Sequence, residues 1–190
     1  MKRFVLTMAV LALAASVQAA PITFSTGLSG AIEVPPNAST GFGSATVIID
    51  DDADTMRVIV NFGGLIGNTT ASHVHCCTAV AGAGTIGIAT ELPSFTGFPL
   101  GVQSGSYDHT FDTSLAATWN AGFMAANGCT PEGAADAFLA GMFAGKAYLN
   151  VHSSFAPGGE IRGFLAVPEP ATLSLLGFGL VGALLRRRRR

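Results

Sequence analysis

The chain is short of charge, and what charge it has is unevenly placed. Only 12% of its 190 residues are Asp, Glu, Lys or Arg. Seven of the ten Lys and Arg sit at the two ends (Lys2, Arg3 and Arg186 to Arg190), which leaves Arg57, Lys146 and Arg162. Eleven of the twelve acidic residues lie between those ends, so the middle of the chain carries a balance of −8. A basic groove for nucleic acid is excluded on that count, because phosphate binding draws on Lys and Arg. An acidic exterior suits a soluble domain outside the cell and attracts cations. No serine, cysteine or carboxylate stands with a partnering base in a recognisable pattern, so hydrolytic chemistry has no support. No internal repeat is present, and histidine is scarce, with four residues at 73, 75, 109 and 152.

Long apolar runs are confined to the ends. Residues 1–19 have a basic start, an apolar run from Phe4 to Val17 and the small-residue site Val17-Gln18-Ala19. That is the layout of a secretory signal peptide cut after Ala19 by signal peptidase. Residues 167–190 open with Val167-Pro168-Glu169-Pro170, continue with an uncharged run from Ala171 to Leu185 and close on five arginines. The run is shorter than the ~20 residues of a full transmembrane helix, though flanking residues extend it. The arginines hold its end on the cytoplasmic side. These three parts, in this order, resemble the PEP-CTERM sorting tail of Gram-negative bacteria. The resemblance implies an exosortase as processing partner, a precursor anchored in the inner membrane, and a product at the cell surface or outside the cell.

Between the ends, short β-branched runs alternate with Gly/Pro turns. Ile22 to Gly30 reads as a strand, and Glu33-Val34-Pro35-Pro36-Asn37 as a loop, since proline gives no ladder donor. Gly43 to Ile49 and Thr55 to Phe62 form an antiparallel hairpin, with Met56, Val58, Val60 and Phe62 on one face. Asp50, Asp52 and Asp54 at its tip hint at calcium. The sixth and twelfth positions of that loop, Thr55 and Asn61, lack the glycine and glutamate an EF-hand needs, so the tip reads as solvated. His73 to His75 and Tyr107 to Phe111 read as strands. A helix is expected from Ser114 to about Ala126, capped by Asp112 or Thr113. A second starts at Thr130-Pro131-Glu132 and runs to about Phe143. Lys146 to Val151 and Glu160 to Leu165 are the last strands. The expected fold is mainly β: an antiparallel β-sandwich, superoxide-dismutase-like or Ig-like, with a two-helix insertion, plus an N-terminal signal helix and a C-terminal transmembrane helix.

Three cysteines, Cys76, Cys77 and Cys129, enter an oxidising compartment, where at most one intramolecular bridge forms. Adjacent cysteines pair only through a small strained ring. The expected disulfide therefore joins Cys76 or Cys77 to Cys129, and strand alternation lets only one of the pair face it. A soft metal site shared with the histidines is the alternative.

Two stretches concentrate the remaining chemistry: Ser72-His73-Val74-His75-Cys76-Cys77, and Tyr148-Leu149-Asn150-Val151-His152 running on to Pro157-Gly158-Gly159-Glu160-Ile161-Arg162-Gly163. His73 and His75 project from one strand face. With His152 from a later strand they form a candidate copper or zinc ligand set. The His-Val-His pair and the closing Tyr-Leu-Asn-Val-His…Gly-Gly-Glu-Ile-Arg-Gly-Phe-Leu segment resemble the CHRD domain, a module named for chordin and found in bacterial exported proteins. The resemblance covers roughly residues 23–165. A CHRD domain of residues 22–166 would thus stand between the signal and the sorting segment. It implies no catalytic activity. A more distant similarity is to the copper/zinc superoxide dismutase sandwich, which implies that Arg162 guides a small anion. The bridging and zinc ligands of that enzyme have no counterpart here, since the interval offers only His109.

Two functions are compatible with this chain. The preferred one is an exported, non-enzymatic binding or structural module of the cell surface or exopolysaccharide matrix, with polysaccharide or surface proteins as partners. The alternative is a metalloprotein with dismutase-like chemistry on His73, His75 and His152.

Overall fold

The computed structural model describes residues 20–168. The signal segment 1–19 and the apolar run and arginines of the tail lie outside the described residues, as do Glu169 and Pro170; Val167 and Pro168 are within them. Among the described residues no helix is long and apolar enough to cross a membrane.

Seven strands form one antiparallel sheet: β1 (Ile22–Ser29), β2 (Phe42–Asp50), β3 (Thr55–Gly63), β4 (Thr69–His75), β5 (Gly105–Asp112), β6 (Tyr148–Ser153) and β7 (Ile161–Phe164). Their spatial order is β4-β6-β7-β1-β2-β3-β5. Every strand places apolar side chains in one cluster, including Phe24, Val47, Met56, Val74, Tyr107, Leu149 and Ile161. One sheet reaches a common core from all seven strands by curling, which gives the facing layers of the expected sandwich. The β2–β3 hairpin shows how the pattern works. Met56, Val58 and Val60 are fully buried and Phe62 is 6% exposed, while the intervening residues face out, as a period of two requires. The acidic hairpin tip is exposed, and Ala53 N–H donates to the Asp50 carboxylate at 3.1 Å.

Two helices, α1 (Ala121–Ala126) and α2 (Pro131–Phe143), stand between β5 and β6. The α2 start is as the sequence reads: the Thr130 hydroxyl accepts from Gly133 N–H, Pro131 follows and Glu132 lies in the first turn. Its buried stripe of Ala134, Phe138, Gly141 and Met142 lies on the core. The helix expected from Ser114 is shorter than its pattern suggested. A 3-10 turn at Ala116–Thr118 gives way to extended backbone at Trp119 and Asn120 before α1 begins. Trp119 makes a β-bridge to Thr90, its indole N–H donates to Thr113 O, and Asn120 N–H donates to Ala89 O. The bonds to Thr90 and Ala89, distant in sequence, draw the chain out of helix, and the Asn120 side chain then caps α1.

The strands β4, β6 and β7 have two buried faces. Leu149 and Val151 point to the apolar core, while Tyr148, Asn150 and His152 alternate to the other face, and all are buried. Three loops cover that second face. Asn37 Nδ2 donates to Gly159 O and Glu160 O, at 3.2 and 3.0 Å. The Glu160 carboxylate receives Ser39 Oγ, Ser153 Oγ, Ile66 N–H and Gly67 N–H, and so ties four chain segments together.

The helix packs on the sheet through Gly141, where an added Cβ would collide with the sulfurs of Cys76 and Cys77. Gly87 in an open loop has nothing within 4 Å of such an atom. Gly141→Val should therefore lower the unfolding free energy by about 1–3 kcal/mol, and Gly87→Val should change it by no more than about 0.5 kcal/mol. Denaturant titration of both variants checks this; equal effects would contradict the close approach of α2.

Candidate metal centre

The antiparallel register sets the centre. On β4, His73 lies opposite Asn150 and His75 opposite Tyr148; Ala71 lies opposite His152. Residues 73, 75, 148, 150 and 152 therefore share one face of the sheet. Among the described residues, His73, His75 and His152 form a group whose ligand atoms all lie within 4.8 Å of one another. The three side chains are 4%, 8% and 9% exposed, so the group sits just beneath the surface.

Each imidazole is held by one backbone carbonyl. His73 Nε2 donates to Pro93 O at 2.6 Å, His75 Nδ1 to Ile86 O at 2.8 Å and His152 Nδ1 to Pro157 O at 2.9 Å. A carbonyl only accepts, so each of these nitrogens carries the ring proton. The bare nitrogens are then His73 Nδ1, His75 Nε2 and His152 Nε2. Two of them, His73 Nδ1 and His152 Nε2, face each other at 3.3 Å, and His75 Nε2 is buried with no hydrogen-bond partner. The His75 ring stacks on Tyr148 at 4.7 Å with an interplanar angle of 5°. The Tyr148 hydroxyl donates to the same Ile86 carbonyl that holds His75, at 3.3 Å.

The electrostatics keep these rings neutral. Burial pushes His73 down to about 4, opposed by the bond to Pro93 and reinforced by His152. Burial likewise takes His75 to about 4; the Ile86 bond opposes it, and His152, His73 and Arg162 add to it. His152 is lowered by burial as well, with the Pro157 bond acting against it. A neutral imidazole, with one nitrogen protonated and the other bare, is the form that ligates metals.

Two expectations are corrected. The disulfide joins Cys76 to Cys77, not either of them to Cys129. Cys129 is a free, exposed thiol just before α2. The two sulfurs lie against Gly141, ten residues beyond Pro131, and ten residues of helix rise about 15 Å, far outside disulfide reach. Strand alternation does not separate the pair, because β4 ends at His75. Arg162, expected to guide an anion, is 1% exposed. Its Nε donates to Ile32 O at 2.7 Å and lies 3.5 Å from Glu33 Oε2, and its guanidinium carbon is 4.7 Å from the Tyr148 ring centre. It presents no charge to solvent. Burial raises Glu33 to about 7, against the pull of Arg162. His109 does not join the group: it stands on β5, at the opposite edge of the sheet from β4, packed edge-on against Phe111 at 4.6 Å.

The CHRD-domain model matches residues 24–165. The chain belongs to the CHRD family. A PEP-CTERM protein-sorting motif matches residues 166–190. This CHRD protein is therefore exported, through a membrane-anchored precursor that an exosortase processes. No curated protein and no solved structure matches the chain significantly.

Histidines with lowered pKa values make the CHRD domain acid-sensitive. The unfolded chain takes up protons below about 6.5, while the folded His73 and His75 rings refuse them until near 4 and His152 is shifted in the same direction. Stability should be fully present above about pH 6.5 and fall as the pH drops, at up to about 1.4 kcal/mol per pH unit for each histidine. Glu33, raised to about 7, is protonated in the folded state first and offsets about one of the three. Urea midpoints between pH 7 and 4.5 test the balance; a flat profile would contradict neutral buried rings.

Proposed function

We propose that this exported CHRD domain is a metal-binding module, with one ion held by His73 Nδ1, His75 Nε2 and His152 Nε2. The observation that carries the reading is the 3.3 Å approach of two proton-free nitrogens. Two lone pairs repel at that distance unless a cation lies between them. Ligands 2.0–2.1 Å from one ion, at tetrahedral to trigonal angles, stand about 3.3–3.6 Å apart. The third ring stands further off, its centre 6.0 Å from each of the others, so loading would draw it inward. Each ligand donates its other ring nitrogen to a backbone carbonyl, the outer support that orients metal-bound imidazoles. Imidazole sets of this kind suit copper and zinc, and a bound ion of either kind supplies Lewis acidity or, for copper, electron transfer.

The module reads as a binder rather than a dismutase. Among the described residues, the arginine near the histidines, Arg162, is committed to Glu33, Ile32 and Tyr148, and the histidine of β5 is remote. Export by the sorting tail would set this binder at the cell surface or in the surrounding matrix, where polysaccharide or surface proteins are its candidate neighbours.

Metal analysis of the purified exported protein, loaded with copper or zinc and dialysed, tests the reading. One equivalent per chain should be retained, and the His73→Ala/His75→Ala variant should lose it while keeping its fold by circular dichroism. A folded native protein that retains neither metal would refute it.

A further inference from the structure

The metal centre carries no negative charge of its own. Its ligand set is three neutral imidazoles, and among the described residues no carboxylate joins the cluster. A fixed cation stands nearby instead. The strands β4 and β7 flank β6, so His75 and Arg162 approach the Tyr148 ring from the two neighbouring strands. His75 stacks on that ring at 4.7 Å, and the Arg162 guanidinium carbon lies 4.7 Å from its centre. Arg162 is only partly compensated. Its contact with Glu33 is 3.5 Å long, and its Nη2 and Glu33 Oε1 are both buried without a partner.

We infer that the three-histidine centre of this CHRD domain selects copper(I) over zinc(II) and copper(II), and that Arg162 is the residue that sets this preference. The inference rests on the reading of the histidines as ligands and names the ion they take. The cost of burying an ion rises with the square of its charge, and a neighbouring guanidinium repels a dication twice as strongly as a monocation. Three neutral ligands give copper(I) a complex of charge +1 but give zinc(II) or copper(II) a buried charge of +2. Coordination number favours copper(I) as well. Zinc completes four ligands with water or substrate when the protein gives three, and copper(II) prefers a tetragonal set. Copper(I) is content with three. Side chains only 4–9% exposed leave little space for added water.

Competition titrations on the purified, metal-free full protein test this. Copper(I) is offered under anaerobic ascorbate against bicinchoninate, and zinc(II) and copper(II) are offered against chromophoric chelators. Copper(I) should bind one equivalent at least about tenfold more tightly than either dication, the scale of one unit charge acting within a protein interior. Zinc(II) or copper(II) binding as tightly as copper(I) would overturn the inference and leave the metal-binding reading standing. Absence of binding by all three would refute that reading, and the inference with it. Arg162→Met should lower the copper(I)-to-zinc(II) affinity ratio several-fold; an unchanged ratio in a folded variant would remove Arg162 from the account. Should that variant fail to fold, Glu33→Gln, which leaves the guanidinium uncompensated, should raise the ratio, and an unchanged or lowered ratio would again count against Arg162.

Discussion

Three backbone carbonyls, those of Pro93, Ile86 and Pro157, determine which nitrogen of each histidine is left bare. A neutral imidazole has one proton to place. Once a carbonyl has claimed it, the other nitrogen can only accept. Here the accepting nitrogens turn toward one another, and two of them meet at 3.3 Å. Everything else about the centre depends on this arrangement. Burial keeps the rings neutral, the antiparallel register brings β4 and β6 together, and Tyr148 steadies both His75 and the carbonyl that holds it.

The carbonyls are themselves held in place. Pro157 belongs to the turn between β6 and β7, which Ser153 and Glu160 close from either side. Glu160 is fully buried. Burial alone would raise its pKa, but bonds from Ser153, Ser39, Ile66 N–H and Gly67 N–H outweigh that and lower it, so it stays ionised. A buried carboxylate with four donors fixes loops that the core does not reach. Across β4, β6 and β7 one face is thus held by apolar contact and the other by hydrogen bonds, and the three-histidine cluster belongs to the second. The Cys76–Cys77 disulfide, directly after His75, ends β4 against α2 and joins the two regimes.

Much of the fold was legible in the sequence. The alternation of Met56, Val58, Val60 and Phe62, the acidic hairpin tip and the Thr130-Pro131-Glu132 helix start each state a local rule that the structure obeys. The shared face of His73, His75 and His152 follows from strand periodicity, which also puts Tyr148 and Asn150 beside them. Other features were hidden for physical reasons. The break at Trp119 comes from a bridge to Thr90 that no local pattern encodes. The cysteine pairing turned on where β4 ends and on the length of α2 between Cys129 and Gly141. The anchoring carbonyls have no residue-type signature at all, because any residue supplies one. Arg162 looked available for anions because its burial depends on Glu33 and Ile32, about 130 residues earlier in the chain.

The most direct test of the central claim is the tautomeric state of the three histidines in the metal-free protein, read from long-range proton–nitrogen NMR correlations near pH 7.5. His73 should be protonated on Nε2, and His75 and His152 on Nδ1, with the three remaining nitrogens showing the shifts of unprotonated imidazole nitrogen. A proton on His73 Nδ1 or on His152 Nε2, bridging the 3.3 Å contact as an ordinary hydrogen bond, would contradict it.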